Sequence, residues 1–125
     1  MLTRDNRLTS NRLFTQAVRR GRRAGTSTLV LHLDVPPSPA PDPVRPACVG
    51  FIVSKAVGPA VTRNLVKRRL RHLARERLTS LPGCAVLVVR ALPASAAATY
   101  ADLAADFDSA LDRASGRAAP AGSRA

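Results

Sequence analysis

The sequence predicts an α+β sandwich in the order helix, strand, strand, helix, strand, helix, with the helices laid on one sheet. Three observations carry that expectation. Apolar residues recur at helical spacing in three segments. Short, largely apolar runs bounded by Pro and Gly lie between those segments. The 125 residues, 46% of them hydrophobic, give room for one domain with one core. That domain is expected over residues 1–115, with residues 116–125, GRAAPAGSRA, as a disordered tail.

The first helix is expected over residues 9–20, TSNRLFTQAVRR. Thr9 or Ser10 caps its start, and Gly21 stands where a left-handed C-terminal cap falls. Leu13, Phe14, Ala17 and Val18 form its apolar stripe. Residues 28–35, TLVLHLDV, alternate as a strand. Residues 36–47 hold six of the ten prolines and read as an exposed connection of polyproline character. A second strand is expected over residues 49–55, then a turn marked by Gly58 and Pro59. The second helix starts near Val61 and ends at Leu78 or Leu81, before Pro82–Gly83. A third strand over residues 85–91, AVLVVRA, is apolar apart from Arg90, as suits a strand covered on both faces. The last helix runs from Ala98 or Thr99 to Ala114, with Tyr100, Leu103, Phe107 and Leu111 on one side. Its aspartates, Asp102, Asp106, Asp108 and Asp112, lack the glycine and terminal glutamate of a calcium loop and read as a solvated face.

Charge narrows the function. Twenty Lys and Arg against eight Asp and Glu leave a net charge of +12. Such an excess calls for a polyanion: nucleic acid first, an anionic membrane surface second. Eighteen of the twenty are Arg, which grips phosphate bidentately and stacks on bases. Residues 1–90 carry seventeen basic and four acidic side chains, so the binding surface belongs there. The N-terminal stretch lacks the apolar region of a secretory signal, and no run is long enough to span a membrane. Cys48 and Cys84 stand far apart and read as small buried hydrophobes in a reducing compartment, a disulfide being the less favoured alternative. The expected location is cytoplasmic.

The second helix concentrates the charge. VTRNLVKRRLRHLARE, residues 61–76, places six basic residues before its first acid. At about 100° per residue, Asn64, Lys67, Arg68, Arg71 and Arg75 fall within one arc of roughly 100°. Val66, Leu70, Leu73 and Leu81 fall on another face, bordered by Arg63 and Arg77 and flanked by Arg69. A helix needing only solubility would interleave Glu at i+4. The missing counter-charge therefore comes from outside the chain, and each phosphate contact makes the affinity fall with salt. Asn64 suits a base edge or a 2′-OH as well as a local cap. No Ser/His/Asp or Cys/His set, P-loop or zincin motif occurs, so no catalytic residue is assigned. His32 and His72 stand alone.

Residues 50–71, GFIVSKAVGPAVTRNLVKRRLR, strongly resemble the signature of the bacterial ribonuclease P protein subunit. Gly50, Val53, Ser54, Lys55, Gly58, Ala60, Val61, Arg63, Asn64, Lys67, Arg68 and Arg71 carry the match. The preceding RLFTQAVRRGRR also fits, and the resemblance covers roughly residues 5–113. It implies a left-handed βαβ crossover, an exception to the usual hand. It further implies the accessory protein subunit of a ribonucleoprotein endoribonuclease, one protein per catalytic RNA, assisting removal of the 5′ leader from precursor tRNA. In such a complex the RNA and its Mg²⁺ ions perform the hydrolysis, with no organic cofactor and no protein metal site.

The resemblance assigns Arg63, Asn64, Lys67, Arg68 and Arg71 to RNA contact, and Lys55, Arg69 and Arg75 complete the expected RNA-binding set. It places Phe14 in a leader cleft formed by the first helix and the sheet, where Val18, His32 and Phe51 are also expected. Val18 and His32 stand where the family often has aromatics, and Ala56 where a second Lys is frequent. Phe14 serves core packing as readily as base stacking. A structural RNA-binding protein of ribosomal type is the second reading, and a nucleoid-type DNA binder the third.

Overall fold

The computed structural model describes residues 11–35, 47–81 and 85–115. Seven main elements follow in order: α1 (Asn11–Arg20), β1 (Arg22–Gly25), β2 (Leu29–Asp34), β3 (Cys48–Ile52), α2 (Ala60–Arg77), β4 (Val86–Ala91) and α3 (Tyr100–Ala114). Short 3₁₀ turns occupy Lys55–Val57, Leu78–Ser80 and Pro93–Ala96. The expected helices and strands are present, each within a few residues of its predicted bounds. One strand is additional. β1, Arg-Arg-Ala-Gly, buries Ala24 alone and pairs antiparallel with β2 at the edge of the sheet. The strand order is β1-β2-β4-β3. β2 and β4 are antiparallel, whereas β3 and β4 are parallel neighbours joined through α2. The predicted N-terminal cap at Thr9 or Ser10, most of the proline-rich connection, Cys84 and the tail lie outside the described residues.

Alternation along the strands gives the sheet two buried faces. On one face Leu29, Leu31, Leu33, Val49, Leu87 and Val89 meet Val66, Leu70 and Leu73 of α2 and Leu103, Phe107 and Leu111 of α3. Phe107 is fully buried there. On the other face Val86 and Val88 meet Ala17 of α1, with Leu13, Phe14, Val18, Cys48 and Ile52 packed around them. The layers are therefore α1, sheet, then α2 with α3. Two tethers fix α3. Thr28, buried before β2, donates its hydroxyl to Asp106, and Arg113 donates to the carbonyl of Gly25 at 2.7 Å. A capping box starts the helix: Asp102 N–H donates to Thr99 Oγ1 at 3.0 Å, and Thr99 N–H donates to the Asp102 carboxylate.

Gly21 departs from its expected role. Among the described glycines only Gly58, at φ 154°, lies in positive φ, so Gly21 is no left-handed cap. Its N–H instead donates to the Ala17 carbonyl at 2.9 Å, and the chain passes directly from α1 into β1. A Cβ there would stand 2.5 Å from the Ala17 oxygen and 2.9 Å from the Leu33 oxygen, both backbone atoms. Close approach, not φ, demands glycine. Gly21→Ala is accordingly expected to cost about 1–3 kcal/mol and to lower the melting temperature by several degrees. An unchanged melting curve would mean that α1 is not seated on β2 in this way.

Candidate nucleic-acid interface

Helix α2 is held by its apolar stripe. Val66, Leu70, Leu73 and Ala74 are buried, so the direction in which its cations point is set by packing rather than by charge. Asn64, Arg68, Arg71 and Arg75 are exposed and Lys67 is half-buried. Among the described residues, the ion pairs within 4 Å are those that Arg77 makes with Glu76 and Asp108. Lys67, Arg68, Arg71 and Arg75 thus form a ridge with no internal counter-charge, and like charges spaced i, i+3 and i, i+4 cost about 0.2–0.5 kcal/mol per pair. Lys55, exposed on the turn before α2, is a further cation without an ion pair. Among the described residues the Asn64 side chain has no hydrogen-bond partner. The start of α2 has no side-chain cap, so the capping alternative for Asn64 is not taken.

The arginines bordering the apolar face have internal partners. Arg63 Nε donates to the Gly58 carbonyl at 3.1 Å, closing the turn that launches α2. Arg69 Nη1 donates to the Ala98 carbonyl at 3.2 Å, tying α2 to the entry of α3. Arg77 makes a two-pronged contact with Asp108, donates to the Leu73 carbonyl at 3.1 Å, and lies 5.8 Å from the centre of the Phe107 ring. The hydrogen bond that Arg77 donates to Asp108 raises the Arg77 pKa, against the opposing effect of partial burial. Arg63 and Arg69 therefore also serve as struts.

The expected leader cleft lies across the sheet from α2, beneath α1. Phe14 and Val18, both half-buried, pack there with Cys48 and Ile52 against Val86 and Val88. His32 belongs to the same face, in the cross-strand row Arg23, His32, Val88, Gly50. Phe51 does not. It pairs with Val89 and packs against the core under α2, on the opposite face of the sheet. Strand alternation leaves Ile52 in its place. Beside these residues, Arg23, Val30, His32, Arg90 and Leu92 line an open pocket of about 260 Å³. His32 is only 6% exposed, and its Nδ1 has no hydrogen-bond partner among the described residues. Burial foremost, then the charges of Arg90 and Arg23, push its pKa below the ordinary histidine value.

The acids of α3 are not simply a solvated face. Asp102 caps the helix, Asp106 accepts from Thr28 and Asp108 holds Arg77. Among the described residues no group of three or more His, Cys, Asp and Glu side chains is placed to hold a metal ion.

Comparison with known proteins identifies this arrangement. The ribonuclease P family profile matches residues 2–115. The chain belongs to the ribonuclease P protein family. It is 58% identical over 113 residues to the ribonuclease P protein component of a Nocardioides species, covering 90% of this chain and 94% of that protein. It is 53% identical over 116 residues to the ribonuclease P protein component of Streptomyces griseus, again covering 90% and 94%. The fold matches the RNase P protein of Staphylococcus aureus with a TM-score of 0.74 at 20% identity, over 87% of this chain and 94% of that one. It matches the RNase P protein of Thermotoga maritima, solved with 1-(4-fluorophenyl)-2-thiourea, with a TM-score of 0.70 at 19% identity, over 86% and 98%. Membership places the chain in the protein component of an endoribonuclease acting in tRNA processing.

Within the ribonuclease P protein fold, two residues offer direct checks. A depressed His32 pKa means that the unfolded chain takes up a proton before the folded one does. Stability is therefore complete above the unfolded value, about pH 6.5, and falls as the pH drops through the lower folded value. His32→Phe should flatten that acid-side loss in melting curves between about pH 7.5 and 5; an identical pH dependence would rule out a neutral buried imidazole. Arg77→Ala should lower stability by about 1 kcal/mol through loss of the Asp108 and Phe107 contacts. Its RNA affinity should change far less than that of variants in the ridge.

Proposed function

We propose that this chain is the protein subunit of ribonuclease P, one copy per catalytic RNA, acting in the cytoplasm to assist removal of the 5′ leader from precursor tRNA. The observation that carries the reading is the ridge of Lys67, Arg68, Arg71 and Arg75 on a firmly packed helix, with no acid among the described residues paired to it. Folded RNA supplies the missing charge. Its phosphates accept hydrogen bonds from the guanidinium groups, and the exposed Asn64 amide reaches a base edge or a 2′-OH. Lys55 extends the same surface, and Arg63 and Arg69 add the donors that their internal contacts leave over.

The single-stranded leader lies on the opposite side, between α1 and the sheet. Phe14 presents part of its ring, Val18 and Ile52 supply apolar walls, and Arg23 and Arg90 stand beside them for the leader phosphates. His32, almost wholly buried, offers little ring face, so base stacking here rests on Phe14. The protein positions and neutralises. Hydrolysis belongs to the RNA and to Mg²⁺ ions held by that RNA and by the substrate. By screening phosphate repulsion the protein lowers the Mg²⁺ concentration at which the RNA cleaves.

Adding the protein to its cognate ribonuclease P RNA should restore precursor cleavage at low Mg²⁺, with tighter binding of substrates that carry a leader. Unchanged cleavage would overturn the reading. Co-sedimentation with ribosomes without any leader-dependent affinity would favour a structural ribosomal role. In the same system Arg68→Ala and Arg71→Ala should each weaken RNA binding and reduce the slope of log affinity against log salt by about one. Their melting temperatures should stay close to that of the wild type. A collapse in stability would make the ridge structural.

A further inference from the structure

The chain holds three Phe, one Tyr and no Trp. Phe107 is buried and Phe14 and Phe51 are half-buried, whereas Tyr100 is 38% exposed. It is the first residue of α3, and two contacts preset its position. Thr99 caps the helix, and Arg69 holds the Ala98 carbonyl from α2. The ring therefore stands beside α2, where it meets His72 edge-on, with centroids 6.2 Å apart and planes at 69°. His72 is itself exposed. It follows Arg68 by four residues and precedes Arg75 by three, so it shares a helix surface with both. The aromatic pair thus borders the cationic ridge. The Tyr100 hydroxyl makes no hydrogen bond within the described protein, and Asp102, the nearest acid along α3, is occupied in the capping box.

We propose that Tyr100, backed by His72, is a stacking platform for an unpaired nucleobase of the RNA that the α2 ridge binds. The proposal rests on the RNA-binding reading above and adds a base contact to its phosphate contacts. The chemistry is complementary. Cations of the ridge hold phosphates, and the base of the same or a neighbouring nucleotide, once splayed out, covers a ring that water now covers. The edge-on arrangement leaves ring face available and fixes the tyrosine in advance, so little side-chain freedom is lost on binding. Any base suits such a platform, since every base presents a π-face. Position is then set by the shape of the RNA rather than by its sequence.

Equilibrium binding of the full-length protein to ribonuclease P RNA provides the test. Tyr100→Leu should weaken binding by about 5- to 150-fold while leaving the salt slope at the wild-type value, because no phosphate contact is lost. Tyr100→Phe should bind like the wild type. With one tyrosine and no tryptophan, the intrinsic emission of the wild-type protein comes from Tyr100 alone. RNA binding should quench that emission, a readout independent of whether the leucine variant folds. Wild-type binding with unquenched emission and an unaltered affinity for Tyr100→Leu would overturn the platform alone. Failure of the wild-type protein to bind the RNA would overturn the RNA-binding reading and the platform together.

Discussion

The structure depends on the seating of α2. Burying Val66, Leu70 and Leu73 against the sheet contributes about 1.5–3 kcal/mol for each side chain. Repulsion along the ridge costs only a few tenths of a kcal/mol per pair. Packing wins by a wide margin, and it fixes the azimuth of the helix. Once those apolar residues face the core, Arg68, Arg71 and Arg75 must face solvent together. The folded helix thereby holds together like charges that an unfolded chain would disperse, and a polyanion lowers the free energy of such a cluster.

Around this helix, charged residues divide their labour by position. Arginines at the margins of the apolar face reach backbone or side-chain acceptors: Arg63 on Gly58, Arg69 on Ala98, Arg77 on Asp108. The aspartates of α3 answer in kind, with Asp102, Asp106 and Asp108 each bound to a partner within the chain. This explains why the C-terminal helix can be acidic without opposing an RNA surface on its neighbour. Its carboxylates are occupied in building the frame. The sheet then separates two surfaces, the ridge on the α2 side and the apolar patch around Phe14 and Val18 on the α1 side.

Much of this was legible beforehand, because period and charge are local properties. The helical arc of Asn64, Lys67, Arg68, Arg71 and Arg75 could be drawn from spacing alone, and the arginines placed on its borders proved to be those with internal contacts. What escaped the sequence was what only pairing decides. β1 is four residues, Arg-Arg-Ala-Gly, with a single buried side chain, and it is a strand because β2 offers it an edge. The charged residues at this edge also discourage further pairing. Phe51 went to the wrong side because the run from Cys48 to Val53 is apolar throughout, so no alternation reveals its phase. Register with Val89 is what turns Phe51 toward α2 and Ile52 toward α1. Gly21 was recognisable as special, yet its cause lies in Leu33, twelve residues away, whose backbone approaches it too closely for a side chain.

The most direct test of the central claim replaces the ridge as a whole. A protein carrying Lys67→Gln, Arg68→Gln, Arg71→Gln and Arg75→Gln together should melt, at low salt and without RNA, at or above the wild-type temperature, because like-charge repulsion is relieved while Val66, Leu70 and Leu73 stay packed. The same protein should lose nearly all affinity for ribonuclease P RNA. A lower melting temperature combined with intact RNA binding would contradict the account, since the ridge would then be holding the fold and not the RNA.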